Sequence, residues 1–299
     1  MIEYMKTIAL TAPTGMLGSM VYKIFKDKYK LVLIYHDETK LDLLDQAYGG
    51  VAQHKKVCFD LANLYKDYET GFPGQAQGAR LRELVSAIGE VDGFLHCAGI
   101  TNRYAGRDPL KTFFINSAVP RLLSNVYQNK LIHITTDCVY NGVAGAPYTE
   151  LSQKTATDLY GLTKALGEPA EQSLVLRTSF IGPEIADFVG LISWFCKQEG
   201  QTLNGFTNHF WNGITTRELA RVYDDILSNR EQYPRAGLFH IFSNAISKYA
   251  MLTAFREKYK INSVINPIVA DPIDRRLGSI YDFCKKLKIP PFQQMLEEL

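Results

Sequence analysis

Thr7-Ile8-Ala9-Leu10-Thr11-Ala12-Pro13-Thr14-Gly15-Met16-Leu17-Gly18 decides how this chain is read. A short apolar run comes first, a turn holding two glycines follows, and Val21, Ile24 and Phe25 then repeat at helical spacing. Strand, glycine turn and helix form the opening unit of a dinucleotide-binding sheet, with ligand phosphates at the helix N-terminus. Gly15 would let backbone approach a pyrophosphate, and Gly18 would let the helix pack close to the sheet. Ala12, followed by Pro13, stands at the first glycine position of G-x-x-G-x-x-G. That substitution predicts a negative φ at Ala12, because only glycine takes positive φ freely. Taken alone, the loop reads equally well as an ordinary βα turn.

Working outward, residues 29–35 read as a second strand with His36-Asp37 just past it. A carboxylate there bonds the adenosine ribose of NAD. Lys40 is close enough in sequence to serve a 2′-phosphate instead, so NAD(H) and NADP(H) both stay open. A third strand, residues 56–59, leads to Asp60-Leu61, read either as an adenine contact or as a helix N-cap. Residues 71–78 read as a surface loop and 81–88 as a helix. Residues 91–99 form a fourth strand ending in Ala98 and Gly99, small enough for a cofactor to lie against backbone. A long helix within 109–127 carries Asn116, a fifth strand ends at Thr136, and 173–180 is a sixth. Strands alternating with helices predict an α/β, Rossmann-like, doubly wound parallel sheet.

After Gly182, glycines and prolines punctuate shorter segments, with helices expected over 191–197, 216–227 and 248–259. Residues 1–180 therefore read as an NAD(P)-binding unit. Residues 181–299 read as mostly a smaller C-terminal substrate-binding lobe, with a return of the chain to the first unit left open. Trp194 and Trp211 read as core residues before they read as stacking platforms.

The chemistry centres on Thr136, Tyr160 and Lys164. Tyr160 and Lys164 are four apart in a helical stretch, 158–165, so they share a face. A hydroxyl at a strand's carboxyl end points to the same crevice. A free tyrosine titrates near ~10, too high for efficient proton exchange at neutral pH, and a nearby ammonium is expected to lower that value. Tyr160 would then protonate a carbonyl oxygen that Thr136 orients. A bare Y-x-x-x-K reads more readily as an ordinary helix surface; the upstream Thr135-Thr136-Asp137 and the glycine loop reverse that reading.

Composition sets outer bounds. The 299 residues are 46% hydrophobic and 21% charged with net charge +2, so neither nucleic acid nor membrane is expected as a main partner. No apolar run approaches the ~18–20 residues that span a bilayer. The N-terminus lacks a signal-peptide pattern. The five cysteines are scattered without metal-binding spacing, so no metal is expected. A reducing, cytoplasmic setting is the simplest expectation.

With these residues assembled, the chain resembles the extended short-chain dehydrogenase/reductase family, and within it the dTDP-4-dehydrorhamnose reductases and related nucleotide-sugar reductases. The resemblance spans Thr11–Gly18, Ala98-Gly99, Asn116, residues 135–142, Pro147-Tyr148-Thr149-Glu150, residues 160–164, Arg177-Thr178-Ser179 and a late arginine motif, residues 271–277. It implies that Thr136, Tyr160 and Lys164 are catalytic, with Lys164 also bonding the nicotinamide ribose. It implies a cofactor site of Thr11, Gly15, Met16, Leu17, Asp37, Asp60, Leu61, Ala98, Gly99, Asn116 and Thr178. Cys138, Phe180 and Arg276 would face a nucleotide-sugar substrate, Arg276 as a guanidinium fork for a diphosphate or as a plain surface arginine. The implied activity is NAD(P)H-dependent reduction of a 4-keto group on a nucleotide-linked deoxysugar. Cys138 matches GDP-fucose synthases, where it serves epimerisation together with a histidine after Gly-Pro; here Glu184 follows Gly182-Pro183. Epimerisation is thus an alternative, although a cysteine at a strand end is usually a small buried residue. A second alternative is a non-catalytic dinucleotide-binding partner, like the regulatory subunit of methionine adenosyltransferase. The sugar, the nucleotide and the oligomeric state carry no sequence signature; a homodimer is compatible with everything read.

Overall fold

The computed structural model describes residues 4–69, 78–143 and 145–299. The loop expected over 71–78 lies outside the described residues apart from Gly78. In chain order the first half runs β1 (Thr7–Thr11), α1 (Met16–Phe25), β2 (Lys30–Tyr35), α2 (Glu38–Tyr48), β3 (Lys55–Cys58), α3 (Lys66–Glu69), α4 (Ala79–Ile88), β4 (Gly93–His96), α5 (Asn102–Ala105), α6 (Pro109–Phe113), α7 (Val119–Tyr127), β5 (Leu131–Thr136), α8 (Leu159–Leu166) and β6 (Leu174–Thr178). The second half adds β7 (Phe180–Ile181), α9 (Leu191–Phe195), β8 (Thr202–Phe206), β9 (His209–Trp211), β10 (Ile214–Thr215), α10 (Thr216–Ser228), β11 (Gly237–His240), β12 (Ile246–Ser247), α11 (Lys248–Tyr259), β13 (Val264–Ile268), β14 (Ile273–Asp274), α12 (Phe283–Lys286) and α13 (Phe292–Glu297).

Seven parallel strands form the central sheet in the order β11-β6-β5-β4-β1-β2-β3. The order reverses between β1 and β4, which opens a crevice at their carboxyl ends. Both faces are covered. Leu17, Val21 and Phe25 of α1 pack with Tyr223 and Ile226 of α10 in one core, while Leu84, Val119 and Leu123 pack beneath the other face. The inner strands are accordingly buried and mostly apolar, as parallel strands covered on both sides are: Ile8, Ala9 and Leu10 are fully buried. The segment after residue 180 does not stay apart. β11 supplies the seventh strand of the sheet beside β6, and α10 packs on α1. What remains outside is a set of short pairs, β7 with β10, β8 with β13, and β9 with β12 and β14. Among the described residues no helix is long and apolar enough to cross a membrane.

The helix expected within 109–127 runs through that stretch and carries Asn116, with a π-helical turn over Phe114–Ala118 between α6 and α7. One local expectation is corrected. Ala12 adopts φ +50°, not a negative value. Its N–H donates to the Ile34 carbonyl at 3.1 Å and its carbonyl accepts from Gly15 N at 3.0 Å, so the turn imposes the left-handed conformation. Gly18 makes that turn possible, because a Cβ at this position would fall 2.0 Å from the Ala12 carbonyl oxygen.

Opposite responses are expected at these two positions. Gly18→Ala should destabilise the protein by about 1–3 kcal/mol, since backbone and helix would have to separate. Ala12→Gly should stabilise it by roughly 0.5 kcal/mol, as relief of the left-handed penalty outweighs glycine's extra unfolded-state entropy. Thermal unfolding midpoints of the two variants check both signs.

Candidate active site

The crevice at the β1/β4 switch is floored by Thr11, which is fully buried. Its Oγ1 accepts from Cys97 N at 3.0 Å and Ala98 N at 3.1 Å and lies 3.0 Å from His96 Nδ1. Thr11 therefore braces the start of the loop after β4 from beneath the crevice. The α1 N-terminus opens into it with Gly15 as N-cap and no side-chain cap, whereas Asp37, Asp108, Asp158, Thr215 and Ser247 cap their helices. A Cβ on Gly15 would meet only the Ala12 carbonyl oxygen, at 3.5 Å. The protein's own packing does not demand a glycine there; an anion seated on the first-turn N–H groups of Met16 and Leu17 would. The site thus fits the pyrophosphate of a dinucleotide.

Asp37 and Asp60 both act as N-caps, accepting from Lys40 N at 3.1 Å and from Ala62 N at 2.9 Å. Each cap uses one carboxylate oxygen, Oδ1. Leu61 is buried in the core under that face of the sheet. Asn116, in the π-helical turn, is held from every side. Its Oδ1 accepts from Ile100 N at 2.8 Å, and its Nδ2 donates to the Ile100 carbonyl at 2.9 Å and to Thr163 Oγ1 at 3.2 Å. Asn116 therefore clamps the loop after β4 to α8. π-Helical turns gather at functional sites for this kind of reason: they re-aim one side chain.

The trio comes together at the carboxyl end of β5. Thr136 and Thr178 are register partners on β5 and β6. Thr136 Oγ1 accepts from Cys138 N at 3.1 Å and donates to Asp137 Oδ1 at 3.3 Å, and its hydroxyl is near enough to the Tyr160 phenol to act on that phenol's titration. Lys164, nearly buried, donates from Nζ to the Ile134 carbonyl at 3.0 Å. A Cβ on Gly99 would lie 3.8 Å from that Nζ and 3.4 Å from Asn116 Oδ1, so Gly99, Asn116 and Lys164 meet at one place. α8 reaches this position because two glycines let it sit against backbone. A Cβ on Gly161 would fall 2.3 Å from the Cys138 carbonyl oxygen, and one on Gly167 would fall 1.9 Å from that of Asn116.

The electrostatics differ from the expected pattern. Burial pushes the Tyr160 phenol well above its usual range, with Cys138 adding to the rise and the Thr136 hydroxyl opposing it. The Lys164 ammonium is aimed at a carbonyl of β5. Burial instead lowers Lys164 itself to about 8, against the pull of Glu168. Cys138 is pushed up to about 12, first by burial and then by Asp137, so its thiol is not the acidic group that proton exchange would call for. Asp137 is raised by burial and partly restored by Arg275.

Arg275 carried no expectation from the sequence, yet it is the arginine beside the trio. Its Nε donates to the Tyr140 carbonyl at 3.0 Å and its Nη1 lies 3.9 Å from Cys138 Sγ. Arg276 turns the other way, into a fork on Asp274 at 2.7–3.0 Å and over the Phe210 ring at 5.0 Å. Phe180 lies in β7, half-buried. Trp211 packs edge-on against Phe292, whereas Trp194 is 41% exposed and does not join the core. The alternation of Arg275 and Arg276 could have been read from sequence, but not which of them faces inward.

A doubly wound sheet with an anion-ready helix at its switch point defines an α/β protein of the Rossmann-like, dinucleotide-binding class. Residues 75–279 match the RmlD substrate binding domain family, and the chain belongs to that family. The spore coat polysaccharide biosynthesis protein SpsK of Bacillus subtilis (strain 168) is 26% identical over 147 residues, 47% of this chain. The chain spans about half the length of that relative, 50%. A dTDP-4-dehydrorhamnose reductase from Bacillus anthracis str. Ames in complex with NADP superposes with a TM-score of 0.68, at 14% identity, over 99% of this chain and 98% of that one. The Bordetella bronchiseptica enzyme WbmG in complex with NAD and UDP gives 0.71 at 15% identity over 98% and 93%. At such identities the likeness to the two structures is one of fold.

The Lys164 shift has a definite consequence for stability. Because its folded value, about 8, lies below its usual 10.5, the unfolded chain binds more protons between those limits and stability rises with pH across that window. Lys164→Met lacks this rise. Urea unfolding of the two proteins at steps from pH 7.5 to 10 should show the variant's relative advantage shrinking by an amount on the order of 2–3 kcal/mol.

Proposed function

We propose that this chain reduces a 4-keto group on a nucleotide-linked deoxysugar with NADH or NADPH. The observation that carries the reading is the convergence of Thr136, Tyr160 and Lys164 at the carboxyl end of β5, beside a glycine-lined helix N-terminus at the switch point of the sheet. Membership of the RmlD substrate binding domain family and the NADP and NAD of the two solved structures support it.

Gly15, Met16 and Leu17 would hold the pyrophosphate through backbone N–H groups. The free oxygen of Asp37 would meet a ribose. Ala98 and Gly99 would leave room for the cofactor against backbone, and Lys164 would turn from the Ile134 carbonyl to the nicotinamide ribose. The bound cofactor supplies hydride to the carbonyl carbon. Thr136 donates to the carbonyl oxygen and fixes its direction. Tyr160, kept protonated by burial, gives that oxygen its proton. An alkoxide is more basic than a phenolate, so the transfer runs downhill even from a raised phenol, and a charged Lys164 close by would reduce the cost of the phenolate left behind. Arg275, beside Cys138, would face the sugar nucleotide. Nothing in the site favours epimerisation through Cys138, whose thiol is held protonated by burial.

Tyr160→Phe should lower NAD(P)H oxidation with a keto-sugar nucleotide by ~10²–10⁴-fold while leaving thermal stability near that of the parent. Turnover at the parental rate would remove Tyr160 as the proton donor.

A further inference from the structure

Residues 182–190 cross the mouths of the first two βα units. Gly190 lies against the start of α1, where a Cβ on it would fall 2.5 Å from Met16 Cε. Asp187 reaches α2, and both of its carboxylate oxygens accept from Lys40 Nζ, at 2.9 and 2.7 Å. Glu184 closes the segment on itself, its Oε2 accepting from Gly190 N at 2.6 Å. Asp187 and Phe188 hold φ of +63° and +48°, left-handed values that disfavour residues with side chains. The Lys40 pair on one side and a 3.3 Å hydrogen bond from Lys197 Nζ to the Phe188 carbonyl on the other keep them there.

Lys40 stands close to the proposed ribose site. Its backbone N–H donates to Asp37 Oδ1 at 3.1 Å, so its side chain leaves from the same helix turn that this carboxylate caps. An adenosine 2′-hydroxyl beside Asp37 would donate to the carboxylate. A 2′-phosphate at that place would need a cation, and the cation at hand is already engaged. We propose that Asp187 sets the choice of dinucleotide: by holding Lys40, it makes the site favour NADH over NADPH. The proposal rests on the reductase reading of the same crevice and deepens it. Two effects act against the 2′-phosphate. It must displace Asp187 from Lys40, and it must then lie near a carboxylate of its own sign. The 2′-hydroxyl meets neither obstacle.

Fluorescence titrations of NADH and of NADPH against the parent, Asp187→Asn, Lys40→Ala and the double variant test this without any sugar substrate. Asparagine keeps the shape of aspartate and tolerates left-handed backbone, so the segment is preserved. Asp187→Asn should tighten NADPH about three- to fivefold and move NADH less than twofold, and adding Lys40→Ala should abolish the gain. Equal shifts for both dinucleotides, no shift for either, or a gain that survives the loss of Lys40 would each overturn the role of Asp187. Those outcomes leave the reductase reading standing, whereas failure of both dinucleotides to bind any of the four proteins would end both.

Discussion

The seat of α8 is the contact on which the site depends. Gly161 rests on the Cys138 carbonyl and Gly167 on the Asn116 carbonyl, both at distances where no Cβ fits. Contacts between backbones cannot yield as side chains do, so the helix is fixed at both ends at once. Tyr160 and Lys164 lie a turn apart, Tyr160 next to the first of these contacts and Lys164 between the two. One is delivered to Thr136, the other to the Ile134 carbonyl and the edge of Gly99. A helix displaced by ~1 Å would still be a helix, but its phenol and its ammonium would miss their targets, and misplacement on that scale costs ~10²-fold in rate.

A second constraint holds the substrate side against this helix. Arg177 on β6 is fully buried, forks onto Glu168 at 3.0 and 2.7 Å, and donates to Tyr140 Oη at 2.5 Å beside His240. Tyr140 stacks on Tyr148 at 4.1 Å, and Tyr148 exchanges backbone hydrogen bonds with Arg276 and Gly278. Through this chain of contacts the stretch after Thr136 is tied to the late segment around residues 274–278. Losing either member of such a buried pair leaves an uncompensated charge and costs about 3–5 kcal/mol, so the tie is rigid. It explains how Arg275, far away in sequence, arrives beside Cys138.

The parts that were legible in advance share a feature: their signals are local. The alternation of strands and helices, the helix capped at Asp158 and the i, i+4 pairing of Tyr160 and Lys164 follow from residue type and spacing alone. The misjudged parts depend on what lies across the fold. Ala12 looked like a residue that would avoid positive φ, but hydrogen bonds to Ile34 and Gly15 override that preference. Lys164 looked like a neighbour that would acidify Tyr160, but burial dominates both groups and the ammonium faces a strand carbonyl. Within the late arginine motif, the fold alone shows that Asp274 holds Arg276 and that Arg275 lies beside Cys138. Trp194 looked like core and stands exposed.

The sequence by itself determined six of the sheet's seven strands, their parallel winding and the spacing of Thr136, Tyr160 and Lys164 near its carboxyl edge, because hydrophobic period, glycine turns and helical spacing act within a few residues of one another. Tertiary structure alone decided how far α8 descends, which arginine looks inward, where each proton is held and what Asp187 grips. Those outcomes rest on desolvation and on backbone contacts between segments distant in sequence, and no local pattern of residues specifies either.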